Sequence, residues 1–462
     1  MKKNLLTMAM SMTVITALSG CIFNSSSGTV NTAPPAAPTP PPAATPVPNN
    51  ITNPSGSYAI SVFATNPTGS SKPDDIVPVQ TAANSPDSAV FIAYQDRSNV
   101  DPMGNVPTGA PSGTVAQGQV VEYDLNGHIL QTINVPGHID GMLQNTTSDY
   151  HTLWVTSDED ANPKLSVINF STSPATVTTY TADAASVSAV TVADPNNSSA
   201  TSNVPLQHGG GLDDMKLIGT HVYVSASAPA TTMTPSNPST TLPYSTSWIN
   251  GASCGTGTCG NGTVFGINQA VTGSTNTNGA IQYVITLNSG ASNTYHVTPV
   301  VSTDGSTTQT TMLSNGTAQL TSNNSAILNA TDADSTALDP NGDLWIDSQQ
   351  DGELIHVSSI NPANTTQTTS ILPLTYGGIS WSIDDFRWVP AVPTGATGNT
   401  FMLVTDTSSG YVYRIDASSG FTPGQVYAAA GNMITSVNMT TGVLTPVFIN
   451  FQATHGLNFI VP

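Results

Sequence analysis

From Tyr58 to Pro462, Thr, Val, Ile and Tyr alternate with polar residues, and Gly, Asn, Asp and Pro interrupt at short intervals. Period-two alternation broken by turn residues predicts short strands joined by tight turns. No apolar stripe at helical spacing runs beyond two turns, so the chain reads as all-β. A loose repeat organises the strands. Its clearest copy is the turn Leu338-Asp339-Pro340-Asn341-Gly342-Asp343, the buried strand Leu344-Trp345-Ile346-Asp347 and, after Gly352, a second strand Glu353-Leu354-Ile355-His356-Val357. Other copies join 401–406 to 410–416, 153–158 to 164–169, 89–94 to 119–124 and 221–225 to 263–268; a weaker one joins 425–428 to 433–438.

Each copy has the form of the central hairpin of a four-stranded blade. Six copies predict a six-bladed β-propeller, with five or seven blades as alternatives. The 406 residues from Ser57 onward give about 68 per blade, more than a bare blade needs, so 226–262 and 288–330 are expected to be insertions. The last strand, Leu457 to Val461, would leave an open sheet edge. Ala59 to Phe63 is its expected partner region, in a blade shared by the two ends. Over about 400 residues the repeat resembles the NHL and SMP-30/gluconolactonase-like six-bladed propellers, as a likeness of fold.

Upstream the pattern changes. Lys2 and Lys3 precede an apolar run from Leu5 to Leu18, about as long as a signal-peptide core. Leu18-Ser19-Gly20-Cys21 resembles the lipobox of bacterial lipoproteins. The resemblance implies a signal peptide over 1–20 and an acylated Cys21. Ile22 stands where Asp tends to retain such proteins at the inner membrane, so the expected location is the outer membrane, facing the periplasm or the cell surface. Residues 22–56 hold nine prolines and no charge. The segment 21–56 is therefore expected to be a disordered tether, extended at about 3.1 Å per residue and roughly 100 Å long. The propeller would occupy 57–462 and meet the membrane through its lipid alone.

Charge narrows the functions. The chain carries 25 Asp and 3 Glu against 8 Lys+Arg, a net charge of −20. That excludes nucleic-acid binding, which needs a basic surface. Few Leu, Glu and Lys argue against a helix bundle. A hydrophobic fraction of 38% is too high for a disordered chain. Charged residues make up 8%, against about 25% in ordinary globular proteins. A surface solubilised by Ser, Thr and Asn suits a strongly acidic medium; biased composition in an ordinary exported protein is the alternative.

The candidate chemistry lies at strand starts. Asp74-Asp75, His138-Ile139-Asp140, His208 with Asp213-Asp214, Asp332 with Asp334, Asp384-Asp385 and His455 each precede a strand upstream of a hairpin. In a propeller those strands line the channel, so these residues would ring one mouth. Asp140, Asp213, Asp334 and Asp384 are the expected metal ligands. His138, His208, Asp214, Asp385 and His455 are further candidates for binding at the mouth. Oxygen-rich sites favour Ca²⁺, and mixed His/Asp sites Zn²⁺ or Mn²⁺. The resemblance to the lactonases of this fold implies a central divalent cation, Ca²⁺ first. Asp and His also cap turns, which alone would put them at strand starts.

Three other motifs carry less. Gly251-Ala252-Ser253-Cys254-Gly255 fits a nucleophile elbow, and His208-Gly209-Gly210-Gly211 an oxyanion loop, but no strand and helix flank Ser253. Cys254 and Cys259 are expected to form a disulfide in an exported protein. Gln119 to Thr132 resembles a hairpin of β-propeller phytases, which use Ca²⁺ and basic residues. Only Lys72, Arg97, Lys164, Lys216, Arg387 and Arg414 follow the signal. Two functions stand: a displayed module binding a small molecule, a glycan or a protein, and, as the alternative, a metal-dependent, lactonase-like hydrolase.

Overall fold

A computed structural model describes residues 46–48, 50–101, 104–107, 109–159, 162–193, 201–205, 212–226, 234–235, 280–290, 292–302, 309–310, 333–349, 352–360 and 368–462. Every named element among them is a strand. β1 (Tyr58–Thr65) belongs to the last sheet. β2 (Ser71–Gln80), β3 (Asp87–Asp96), β4 (Gln117–Tyr123) and β5 (Ile129–Pro136) form an antiparallel sheet in chain order, and β6 (Ile139–Gln144), β7 (Thr152–Ser157), β8 (Lys164–Asn169) and β9 (Thr176–Ala182) repeat it. β10 (Val187–Ala193) pairs with β11 (Thr201–Pro205) and β14 (Thr234–Pro235). The third blade is β12 (Met215–Ile218), β13 (His221–Ser225), β15 (Ala280–Leu287) and β16 (Thr294–Ser302). The fourth is β18 (Ala333–Leu338), β19 (Leu344–Ser348), β20 (Glu353–Ser358) and β21 (Thr368–Pro373), edged by β17 (Gln309–Thr310). β22 (Thr375–Tyr376) and β23 (Ile379–Ser380) pair with each other.

The last two blades share a strand. β24 (Asp385–Trp388) pairs with the first half of β27 (Val426–Val437), and the second half of β27 pairs with the start of β28 (Leu444–Ile460). The end of β28 pairs with β25 (Phe401–Asp406), which pairs with β26 (Tyr411–Ala417), which pairs with β1. The two ends of the chain thus share a blade. They lie on its opposite edges, so β1 meets β26 rather than the closing strand.

The strands are apolar on both faces because each sheet is packed on both sides. In β3, Val90, Ile92 and Tyr94 join Phe401 and Ile460 in one cluster, while Ala89, Phe91 and Ala93 join Ile139 and Leu153 in the next. The central strands β2, β6, β12, β18, β24 and the end of β28 each pack on two others in a closed cycle. The fold is a β-propeller, with six central strands among the described residues.

Four of the expected hairpins are present as read. Two differ. β13 pairs with β15, not with 263–268, which lie outside the described residues; the insertion is longer than the spacing suggested. β27 is one continuous strand rather than a hairpin, because Gly431, at φ 69°, bends the backbone without reversing it. Residues 294–302, expected inside an insertion, form the regular outer strand β16. Upstream, Val47 and Ile51 pack on the last blades and Thr52 pairs with Ile449, so the expected boundary at 56/57 falls within a packed segment. Cys21, Cys254, Cys259 and His208 lie outside the described residues.

Candidate functional site

The central strands enter the channel with two consecutive positions. The first is Asp74, Asp140, Asp213, Asp334, Asp384 and His455. The second alternates between Asp and a small residue: Asp75, Gly141, Asp214, Ser335, Asp385 and Gly456. Each second-position Asp accepts a hydrogen bond from the backbone N–H that follows it and another from the next blade. Asp75 takes Ile76 at 2.7 Å and Met142 at 2.6 Å; Asp214 takes Met215 at 2.6 Å and Thr336 at 3.0 Å; Asp385 takes Phe386 and Leu457, both at 2.7 Å. Carboxylates therefore tie the blades in three pairs. At two of the three seams between pairs the backbones touch, and at the third the Ser335 hydroxyl donates to Asp385. A Cβ on Gly141 would lie 2.6 Å from the Asp213 carbonyl oxygen, and one on Gly456 would fall on that of Asp74.

Cations hold this lower ring. The buried Arg387 guanidinium bonds Asp385, lies 3.3 Å from Asp214 and 3.8 Å from Asp75, and donates to the Ser335 hydroxyl at 2.8 Å. Lys216 Nζ donates to Asp214 at 2.7 Å. Burial and the Asp214 charge raise Asp75 to about 7 even so, against the pull of Arg387 and Lys216.

Above it lies a cavity of about 170 Å³ lined by the first-position residues with Gln95, Glu159 and Gln349. His455 Nδ1 is 3.3 Å from Asp74 and 3.2 Å from Asp384. Gln95 donates to Asp74 at 3.0 Å, and Gln349 to Asp384 at 2.7 Å and Asp334 at 3.4 Å. Asp213 and Asp334 share a hydrogen bond. Burial, then Asp334 and Glu159, push Asp213 well above the usual carboxylate range; burial, then Glu159, Asp158 and Asp74, do the same to Asp140. Burial lifts Asp384 to about 7, with His455 pulling it down and Asp74, Asp385 and Glu159 pushing it up. Burial alone would lower His455, but Asp384 and Asp74 outweigh it and raise the imidazole to about 9.

The four expected ligands do converge on this cavity. The compact donor set at this mouth is different: one atom each of Asp74, Asp384 and His455 lie within 4.8 Å of one another. Asp214 and Asp385 sit one residue deeper, in the lower ring. His138 lies behind Asp140, its Nδ1 3.0 Å from the Asp140 carboxyl; burial drives its pKa down to about 3, so it is a neutral prop. Gln95, Glu159 and Gln349 were missed. Each stands at the end of the second strand of its blade or just beyond it, a shared repeat position that would have revealed them.

These shifts fix a pH dependence. In the folded chain His455 holds its proton to about 9, against 6.5 when unfolded, so its stabilisation is complete below 6.5 and is lost as the pH rises through 9. Asp384, at about 7 against 3.8, loses stabilisation in the same direction between those values. His138 opposes this only below 6.5. Between pH 6.5 and 9 the protein in chelator should lose about 2 kcal/mol, a few degrees in Tm, allowing for the partly exposed His455 ring. A Tm that rises across that window in a melting series would contradict the pairing.

No family model matches the chain, and no curated protein matches it. Among solved structures it is similar to a streptogramin B lyase (10% identity, 87% of this chain and 95% of that one, TM-score 0.37). It is also similar to a gluconolactonase from Xanthomonas campestris (7% identity, 91% and 96%, TM-score 0.36) and to virginiamycin B lyase from Staphylococcus aureus (9% identity, 87% and 96%, TM-score 0.33). These neighbours are β-propellers. At such TM-scores the likeness carries no argument, and the fold rests on the strand order above.

Proposed function

We propose that the channel mouth holds a divalent cation and that the protein is a metal-dependent, lactonase-like hydrolase. The convergence of Asp74, Asp384 and His455 from three different central strands supports this reading. Further carboxyls surround the trio, and among the described residues lining the cavity only His455 offsets their charge. Two carboxylates and an imidazole suit Mn²⁺, Zn²⁺ or Ca²⁺. When bound, the cation would polarise a carbonyl or a water molecule. The chain's own part is to position and to move protons. Gln95 and Gln349 orient the Asp74 and Asp384 carboxylates. The Asp213–Asp334 pair holds a proton that one carboxyl can donate and the other accept. His455 must shed its proton to ligate, so cation affinity should rise with pH.

A binding module can hold a cation at this donor set, but the proton of the Asp213–Asp334 pair then has no task. The N-terminal signal supports anchoring of the protein in the outer membrane through Cys21, as a further part of the proposal. In melting experiments near neutral pH, Ca²⁺, Mn²⁺ or Zn²⁺ should raise Tm with the logarithm of free concentration, and chelator should reverse it. Asp384→Ala and Asp74→Ala should remove both the shift and any hydrolysis of an aldonolactone. A Tm indifferent to all three cations and to chelator discards the site; a shift without hydrolysis leaves a cation-binding module.

A further inference from the structure

Arg97 follows β3 and is unusual in its charge environment. Among the described residues, the other five cations each meet a carboxylate: Lys72 meets Asp96, Lys164 meets Asp158, Lys216 meets Asp214, Arg387 meets Asp385 and Arg414 meets Asp416. Arg97 alone has a guanidinium with no ion pair, in a protein of net charge −20. It opens onto a cavity of about 500 Å³ on the first blade, between the outer strands β4 and β5 and the segment joining β1 to β2. This lies within the roughly 300–1,000 Å³ range of small-ligand pockets.

The walls are polar and built. Gln119 is buried, and both ends of its amide are engaged: it accepts from Ser70 Oγ at 3.0 Å and donates to Asn134 Oδ1 at 3.1 Å. That fixes Asn134 with its amide NH₂ free for a ligand. Thr132, two residues away on the same strand face, presents a hydroxyl. Thr65, Asn66, Pro67 and Thr68 form the opposite wall. Ile129, 51% exposed, adds one apolar wall. The set is thus one cation with a planar fork of donors, amide and hydroxyl groups of both polarities, and a single hydrophobic surface.

We propose that this cavity binds a carboxylate-bearing saccharide of the uronate class. The guanidinium takes the carboxylate in a bidentate pair. Asn134 and Thr132 exchange hydrogen bonds with ring hydroxyls, and Ile129 packs on the C–H face of the sugar. A singly charged ligand is also favoured over a dianion by the negative field of the whole chain. The cavity is on the outer part of a blade, away from the channel mouth, so it is independent of the hydrolase reading.

The test is calorimetric titration of the full chain with methyl galacturonide, which carries one carboxylate, with neutral methyl galactoside and with inorganic phosphate. Methyl galacturonide should bind, its affinity should fall with added salt, and methyl galactoside should bind far more weakly. Arg97→Gln should weaken uronate binding about tenfold or more, Arg97→Lys less, and Asn134→Ala several-fold. Tm should not change in Arg97→Gln, because that side chain makes no internal bond. Equal binding of the neutral sugar, unchanged affinity in Arg97→Gln, or no uronate binding by the parent chain overturns the proposal. Phosphate binding tighter than methyl galacturonide does so as well, leaving a simple anion site.

Discussion

Arg387→Met should cost the fold about 3–5 kcal/mol at neutral pH. The substitution keeps volume but removes the guanidinium from among three buried carboxylates of the first, third and fifth blades, leaving Lys216 as the sole cation bonded within that ring. It also removes the donors to Ser335 and to the Thr336 and Phe386 carbonyls. The penalty arises from uncompensated charge, so it depends on pH. Asp75, already at about 7, would shift further up and hold its proton at neutral pH, whereas below 7 both chains carry that proton and the difference fades. The loss of Tm in Arg387→Met should therefore shrink between pH 8 and pH 5. Arg387→Lys should fall between the two, because an ammonium restores charge without the fork that spans three blades. Thermal or denaturant unfolding of the three chains decides it, and a deficit of equal size at both pH values would point to lost packing instead.

Gly141→Ala should cost about 3 kcal/mol although it adds only a methyl group. The glycine is not needed for its conformation, since its φ is not in the left-handed region. It is needed for space: the new Cβ would lie 2.6 Å from Asp213 O and 2.7 Å from Asp214 Cα. Those atoms are backbone, held by the Asp214 carboxylate and by the Thr156 hydroxyl donating to Asp213 O at 2.8 Å, so nothing nearby can rotate away. Ser335, at the equivalent place in the fourth blade, has its Cβ accommodated and its hydroxyl bonded to Asp385. Ser335→Ala should be mild by comparison. Unfolding experiments on both variants test the contrast, and a near-neutral Gly141→Ala would mean the second and third blades can slide apart.

Much of this was legible in the residues. Alternation in stretches such as Ala89 to Tyr94 shows which side chains face each neighbouring sheet, and Asp or His before a central strand marks the mouth because every blade enters it in the same register. What could not be read was long-range. Asp74 and His455 come from opposite ends of the chain and meet only because the ring closes. β28 serves two blades because it crosses from one to the next without a turn; Asn450, at φ 72°, stands at the passage and reads in the sequence like a loop residue. Arg387 looked like one basic residue among six; only burial between three blades gives it its role.

The alternation of Asp and small residues along the lower ring has an arithmetical consequence. A blade that reaches forward with a carboxylate must be followed by one that offers a bare backbone, and the last blade must fit against the first. Such a ring closes only on an even number. Deleting or duplicating one blade would set two Asp-bearing strands, or two glycine-type strands, side by side, with a clash or an untethered seam. Changes in size would then have to come as adjacent couples, of which the six described central strands make three.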